Sequence, residues 1–300
     1  MAQASRRSGE SVWFWILVAP AVLGFLAFNL GPMIESLYLS FTKYDVISPP
    51  QYIGVRNYTY LIFNDPAFWP SVIVTAVFAA VSVPLGLISA LGVALLLNRK
   101  VAGQGVFRTI YFLPSLLPAT ASGVVWVFIF HPTFGLLNRL LYFVGIEGPA
   151  WTQSVTWALP ALIIMSLWGF GQPMVIFLAG LQDVPDSLYE AADLDGASRW
   201  QQFRNVTLPL ITPVLFFNLV MGLIGALKVF DSAYVFGSTS GVGPGGPARA
   251  TLFYALNLYQ KAFSYFHMGL ASAMAWLLFL AILALTAFNF WLGKRWVHSE

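Results

Sequence analysis

The sequence predicts an all-α integral membrane protein of about six transmembrane helices. Three observations carry this reading. Of 300 residues, 58% are hydrophobic and only 9% charged, against about 25% charged in a typical soluble domain. The mean hydropathy is +0.75. And six stretches of the chain are each apolar over the roughly 20 residues that a helix needs to cross a bilayer core.

Taken in order, the first stretch covers about 12–31. It is too long for the apolar region of a signal peptide and no small-residue cleavage site follows it, so it reads as a retained helix behind a tail at 1–11. The others cover about 71–97, 107–130, 154–181, 208–229 and 267–292, giving a membrane domain over 12–293 and a second tail at 294–300. Prolines recur within these spans at Pro20, Pro84, Pro114, Pro118, Pro160, Pro173 and Pro213. Membrane helices tolerate them because neighbouring helices and hydroxyl side chains satisfy the freed carbonyls. Trp13, Trp15, Trp69, Trp151, Trp291 and Trp296 fall at span ends, where interfacial aromatic belts form.

Basic residues give the orientation. Nine of fifteen lie on one side, in the tails and in the loops holding Arg99, Lys100, Arg108, Arg199 and Arg204. Five lie on the other side (Lys43, Arg56, Arg139, Arg249, Lys261), and Lys228 sits in or near a span. Both termini are therefore expected in the cytoplasm, with the longer loops at about 32–70, 131–153 and 230–266 outside.

Composition also excludes chemistry. There is no cysteine, so disulfides, thiolate metal sites and cysteine nucleophiles are absent. His131, His267 and His298 lie far apart and form no metal-ligand spacing, so neither a metal site nor a catalytic residue is expected. The net charge of +3 is small and its basic residues scattered, which does not suit nucleic acid. Inverted repeats and buried ion-coupling residues, the usual marks of a secondary transporter, are not visible.

One cytoplasmic loop, 183–209, stands apart. It holds Asp183, Asp186, Glu190, Asp193 and Asp195, five of the chain's twelve acidic residues. Ser187-x-x-Glu190 is a capping box that predicts a short helix from about Leu188. Gly196 suits the left-handed turn that ends such a helix. Ser198-x-x-Gln201 is a second capping box, opening a helix with Trp200, Phe203 and Val206 along one side. Thr207 and Pro209 suit the start of the fifth span. The product is a helix-turn-helix at the membrane surface, with Ala191 and Ala192 as a small knob flanked by carboxylates. An ordinary amphipathic connector with solvated charges shows the same features, so these residues leave both readings open.

The run Glu190-Ala191-Ala192-x-x-Asp195-Gly196-Ala197, with Phe203, Leu208-Pro209 and Pro213 after it, resembles the EAA loop of permease subunits of bacterial ABC importers. Val206 stands where that pattern usually has isoleucine. Tyr52-Ile-Gly-Val-Arg-Asn-Tyr58, Phe107-Arg-Thr-Ile-Tyr-Phe-Leu-Pro114, His131-Pro-Thr-Phe-Gly-Leu-Leu-Asn138, Phe230-Asp231 and Gly243-Pro-Gly-Gly-Pro247 extend the likeness over nearly the whole chain. They are similar to carbohydrate-importer permeases related to the larger maltose-permease subunit and the glycerol-3-phosphate permease.

The resemblance implies a type I ABC importer permease fold, in a bacterial or archaeal inner membrane, with the loop as a cytoplasmic coupling helix. It implies four kinds of partner: a second homologous permease, two ATP-binding subunits, an extracytoplasmic solute-binding protein, and sugar as the solute. ATP and Mg belong to the partner ATPase subunits, since this chain has no GxxxxGK[ST] phosphate loop. Glu190, Ala191, Ala192, Asp195, Gly196 and Ala197 would form the ATPase contact. A permease for glycerol phosphate or another polyol is the alternative within the class, and a secondary transporter the alternative outside it.

For the solute path, the resemblance points to the helices on either side of the loop. Trp168 and Gln172, four apart on one helical face, are candidates there. Helix packing through Gly169 and Gly171 would explain the same stretch. Glu35, Lys228 and Asp231 are ionisable residues in or near spans, and so candidates by type. Lys228 and Asp231, three apart, would equally form a local ion pair.

Overall fold

The structure, a computed structural model, describes residues 2–99 and 103–296, with side chains from residue 14. Lys100, residues 297–300 of the expected tail, and the side chains of Arg6, Arg7 and Trp13 lie outside the described residues. The helices are α1 (Ala2–Phe25), α2 (Gly31–Ser40), α3 (Arg56–Phe63), α4 (Phe68–Leu97), α5 (Gln104–Phe112), α6 (Ala119–Ile129), α7 (Leu136–Phe143) and α8 (Ala158–Leu167). Then come α9 (Gly171–Gln182), α10 (Asp186–Leu194), α11 (Arg199–Gln202), α12 (Leu208–Leu210), α13 (Thr212–Leu227), α14 (Asp231–Thr239), α15 (Tyr254–Tyr259) and α16 (Met268–Gly293). A two-residue hairpin pairs β1 (Thr42–Lys43) with β2 (Gln51–Tyr52), antiparallel.

Among the described residues, three helices are long and apolar enough to cross a membrane: Phe14–Ser40, α4 and α16. The first outruns the expected 12–31, because a π turn at Leu26–Leu30 carries α1 into α2 without a stop. The other three apolar stretches are bent pairs, Gln104–Leu116 with α6 (99°), α8 with α9 (42°) and Arg199–Leu210 with α13 (65°).

Proline explains the bends. Leu117 and Pro118 are extended (ψ 136° and 139°) before α6 begins, as the steric clash of a proline ring with the residue before it requires. Pro173 cannot donate to the carbonyl of Gly169, so α8 stops and α9 restarts there. Pro209 and Pro213 occupy first-turn positions of α12 and α13. Only Pro20 and Pro84, of the seven expected inside spans, lie within an unbroken long helix.

The chain forms two compact units, each described by itself. The first joins residues 1–64 to 259–277. In it the Asn57 amide donates to the carbonyls of Ser40 and Thr42, both at 2.8 Å, and Tyr58 Oη donates to Ser40 Oγ at 2.7 Å. These two residues pin the end of α2 to the hairpin. Gly269, at the start of α16, lies against the same turn. A Cβ there would stand 2.1 Å from the Thr42 carbonyl oxygen.

The second unit joins 65–258 to 278–300 and holds two apolar clusters threaded by α4. One gathers Phe78, Val83, Phe130, Trp151 and Phe253. The other gathers Ala90, Ala94, Phe177, Leu181 and Ile211. Ser71 and Thr75, buried on α4, are satisfied within the unit: Tyr254 N–H donates to Thr75 Oγ1 (2.8 Å) and the Asn257 amide to Ser71 Oγ (3.2 Å). Trp151 corrects the expected aromatic belt. It is buried and its Nε1–H donates to Asn138 Oδ1 at 2.6 Å, because the loop folds back over the cluster.

Candidate functional site

α9 ends at Gln182, and buried Val184 anchors the chain before α10 begins. α10 starts at Asp186 with Pro185 in the N-cap position, and no side chain caps it. The Ser187 capping box is therefore not formed. Pro185 holds an extended ψ of 130° directly before the helix, and Asp186 places its carboxylate in the first turn, at the positive end of the helix dipole. The far end agrees with the sequence. Gly196 has φ +72°, its N–H donates to Asp193 O (3.1 Å), and Ala197 N–H donates to Ala192 O (2.9 Å). That pair of bonds closes the last helical turn. The second capping box also forms: Ser198 N–H donates to Gln201 Oε1 (2.7 Å) and Gln201 N–H to Ser198 Oγ (3.4 Å).

Side chains then lock α10 to the segment that leads into α13. Tyr189 Oη and Thr207 Oγ1 share a hydrogen bond of 2.9 Å, and the Gln202 amide donates to Asp193 Oδ1. Tyr189, Val206 and Leu210 pack against the second apolar cluster. Asp193, Thr207 and Val206 stood out in the sequence for other reasons, but Tyr189, Gln202 and Leu210 did not, because a tyrosine or glutamine in a polar loop carries no pattern of its own.

Among the described residues, nothing in the chain covers the outer face of α10. Glu190, Ala191, Asp195 and Gly196 are exposed, and Ala192 and Ala197 half-buried. Leu194 is 90% exposed and Trp200 68%. Leu194 was missed in the sequence, although a leucine three residues after Ala191 on a polar helix is a readable signal.

Within the second unit, α4, α8, α9 and α13 line an open cavity of ≈520 Å³. Ser82, Ser166, Gln172 and Asn218 give it polar groups, and Phe170 and Phe217 aromatic walls. Gln172 thus faces the cavity, but Trp168 does not share its face. The two stand on opposite sides of the α8–α9 bend, and Trp168 packs edge-on against Trp126 (5.8 Å). Close packing explains Gly171, where a Cβ would lie 2.6 Å from the Tyr111 carbonyl oxygen, but not Gly169. Lys228 and Asp231 are exposed and line no part of the cavity. They sit at helix ends, Lys228 at the C-cap of α13 and Asp231 in the first turn of α14, where each charge complements the local dipole. Glu35 is exposed on α2. Among the described residues no cluster of His, Asp and Glu could hold a metal ion.

Residues 82–298 match the family described as "Binding-protein-dependent transport system inner membrane component". The chain is 43% identical over 288 residues to "Probable ABC transporter permease protein YesP" of Bacillus subtilis (strain 168), covering 95% of this chain and 92% of that protein. It is 34% identical to "Trehalose/maltose transport system permease protein MalF" of Thermococcus litoralis, covering 93% of each. Among solved structures, a chain of a bacterial ABC transporter involved in the import of the acidic polysaccharide alginate superposes with a TM-score of 0.82. It shares 22% identity and covers 98% of this chain and 99% of that one.

Proposed function

This chain belongs to the family of binding-protein-dependent transport system inner membrane components, and from that premise we propose that it is one permease subunit of an ATP-driven sugar importer. One observation carries the mechanism. α10 joins α9 to α13, and both of those helices wall the same cavity. A displacement of α10 therefore reaches the cavity from two sides. Val184 transmits it to α9, and the Tyr189–Thr207 and Gln202–Asp193 bonds transmit it towards α12 and α13.

In this reading α10 is the coupling helix, docked on a cytoplasmic ATPase subunit that binds ATP and Mg. Leu194, Ala191 and Ala192 supply its apolar contact, and Glu190 and Asp195 its charges. Large exposed apolar side chains beside charges mark a surface meant for a partner. A second, homologous permease completes the pathway, two ATP-binding subunits drive it, and an extracytoplasmic binding protein delivers the solute. Both termini face the cytoplasm, as the basic residues direct. The ≈520 Å³ cavity suits part of a neutral sugar, with aromatic walls for its apolar faces and Gln172 and Asn218 for its hydroxyls. Several relatives carry sugar transporter names, among them a lactose and a starch-product permease, against one named for sn-glycerol-3-phosphate, and this balance supports sugar over glycerol phosphate or another polyol.

The test is gentle purification of the tagged protein from its native membrane. Recovery of a second permease and an ATPase, with an ATPase rate that rises with the binding protein and one of a panel of sugars, is the expected result. A lone chain under conditions that preserve known importers would overturn the reading.

A further inference from the structure

α7, in the loop between α6 and α8, is apolar on two sides. Leu137 and Leu141, one turn apart, pack against the cluster around Phe130 and Trp151. Asn138 locks that side in place. Its amide donates to the carbonyls of Pro132 (2.9 Å) and Pro149 (3.2 Å), and its carbonyl accepts from Trp151. Gly148 lies so close that a Cβ there would meet the Asn138 carboxamide at 2.0 Å. The other side carries Leu136, Leu140 and Phe143, all exposed, Phe143 at 84%.

This second face continues an apolar band. Phe128 is exposed on α6, one arm of a helix pair apolar enough to cross a membrane. Its ring meets Phe134 with centroids 6.4 Å apart, and Phe134 leads directly to Leu136. Exposed apolar side chains therefore run from Phe128 on α6 through Phe134 to α7, with His131 stacked on Phe134 (3.4 Å) and Thr133 beside it as the polar groups between them.

We propose that α7 lies flat in the membrane interface as a lipid-seated anchor, with Leu136, Leu140 and Phe143 inserted at the boundary of headgroups and acyl chains. The proposal rests on the reading of the chain as a membrane permease, and the orientation above makes the leaflet the outer one. A short helix of this kind buries its apolar face about 5–10 Å deep. Arg139 and Tyr142 flank the face, and such side chains keep polar ends among headgroups while their stems lie on apolar surface. A solute-binding protein is the poorer occupant. It arrives and leaves with each cycle, whereas a face with this many large apolar groups needs cover throughout. Seated in lipid, α7 becomes a fixed post for the end of α6, through Asn138 and Trp151.

The chain has no cysteine, so Leu140→Cys and Phe143→Cys each accept a fluorophore at one place. Both variants are assembled with their partner subunits in lipid nanodiscs and checked for sugar uptake in cells. Quenching is compared between lipids spin-labelled near the headgroup, lipids labelled at the chain end, and aqueous iodide. The headgroup-proximal label is expected to quench both sites at least about twofold more than the chain-end label, with little effect of iodide. Strong iodide quenching without lipid quenching would overturn the proposal in favour of a water-exposed face. Quenching by none of the three would overturn it in favour of a protein partner. The measurement needs neither ATP nor solute, so a failure of the sugar assignment leaves its result standing.

Discussion

Gly196 has φ +72° and donates its N–H to Asp193 O. Proline can supply neither the angle nor the donor. Gly196→Pro should therefore unwind the end of α10 and abolish uptake, and Glu190→Lys should do the same by reversing a charge at the proposed ATPase contact. Both variants should still be found in the membrane fraction at the unaltered level, and normal uptake by both would remove α10 from the coupling role. Leu194 makes a sharper test because nothing in the chain covers it. Burying a leucine is worth about 1.5–3 kcal/mol, so Leu194→Asp should lower the ATPase recovered with the tagged permease about tenfold or more. Unchanged recovery would mean the leucine faces water or lipid in the complex.

Among the elements, the bends matter more than the straight lengths. The α8–α9 bend turns Gln172 into the cavity and leaves Trp168 against Trp126. It depends on Gly171, whose missing side chain lets α9 approach the backbone of α5 at Tyr111 and Phe112. Gly171→Val must push two backbones apart and should cost about 1–3 kcal/mol, read as a lower unfolding temperature of the purified complex. An unchanged midpoint would show that α5 yields freely. Sequence reasoning located the apolar stretches because hydropathy reports burial or lipid contact directly. It did not locate the breaks, since a proline inside an apolar run is compatible with a kink, a stop or an unbroken helix. Pro84 within α4 and Pro118 before α6 show the unbroken helix and the stop in one chain.

For the whole molecule, the proposed coupling role makes the cavity the feature on which α10 would act. Gln172 and Asn218 reach it from α9 and α13, on the two sides of the α10 segment. If sugar hydroxyls are held there, Gln172→Ala removes a hydrogen-bonding partner worth about 1.4 kcal/mol, or tenfold in affinity. The half-saturating sugar concentration for uptake should rise about tenfold, while ATP hydrolysis without solute stays level. A fall in the basal rate instead would assign Gln172 to the packing of α9.

By itself, the sequence determined the helical membrane class, the approximate apolar stretches, and the outline of α10 with its Gly196 turn and Ser198 cap. These depend on composition and on neighbours a few residues apart, which a linear chain displays. Tertiary structure decided the rest: the three bends, the cover over Trp151, the separation of Trp168 from Gln172, and the lock between Tyr189 and Thr207. In a helix that is apolar all round, the face meeting lipid and the face meeting another helix carry the same kinds of residue. Only the packing of distant segments tells them apart.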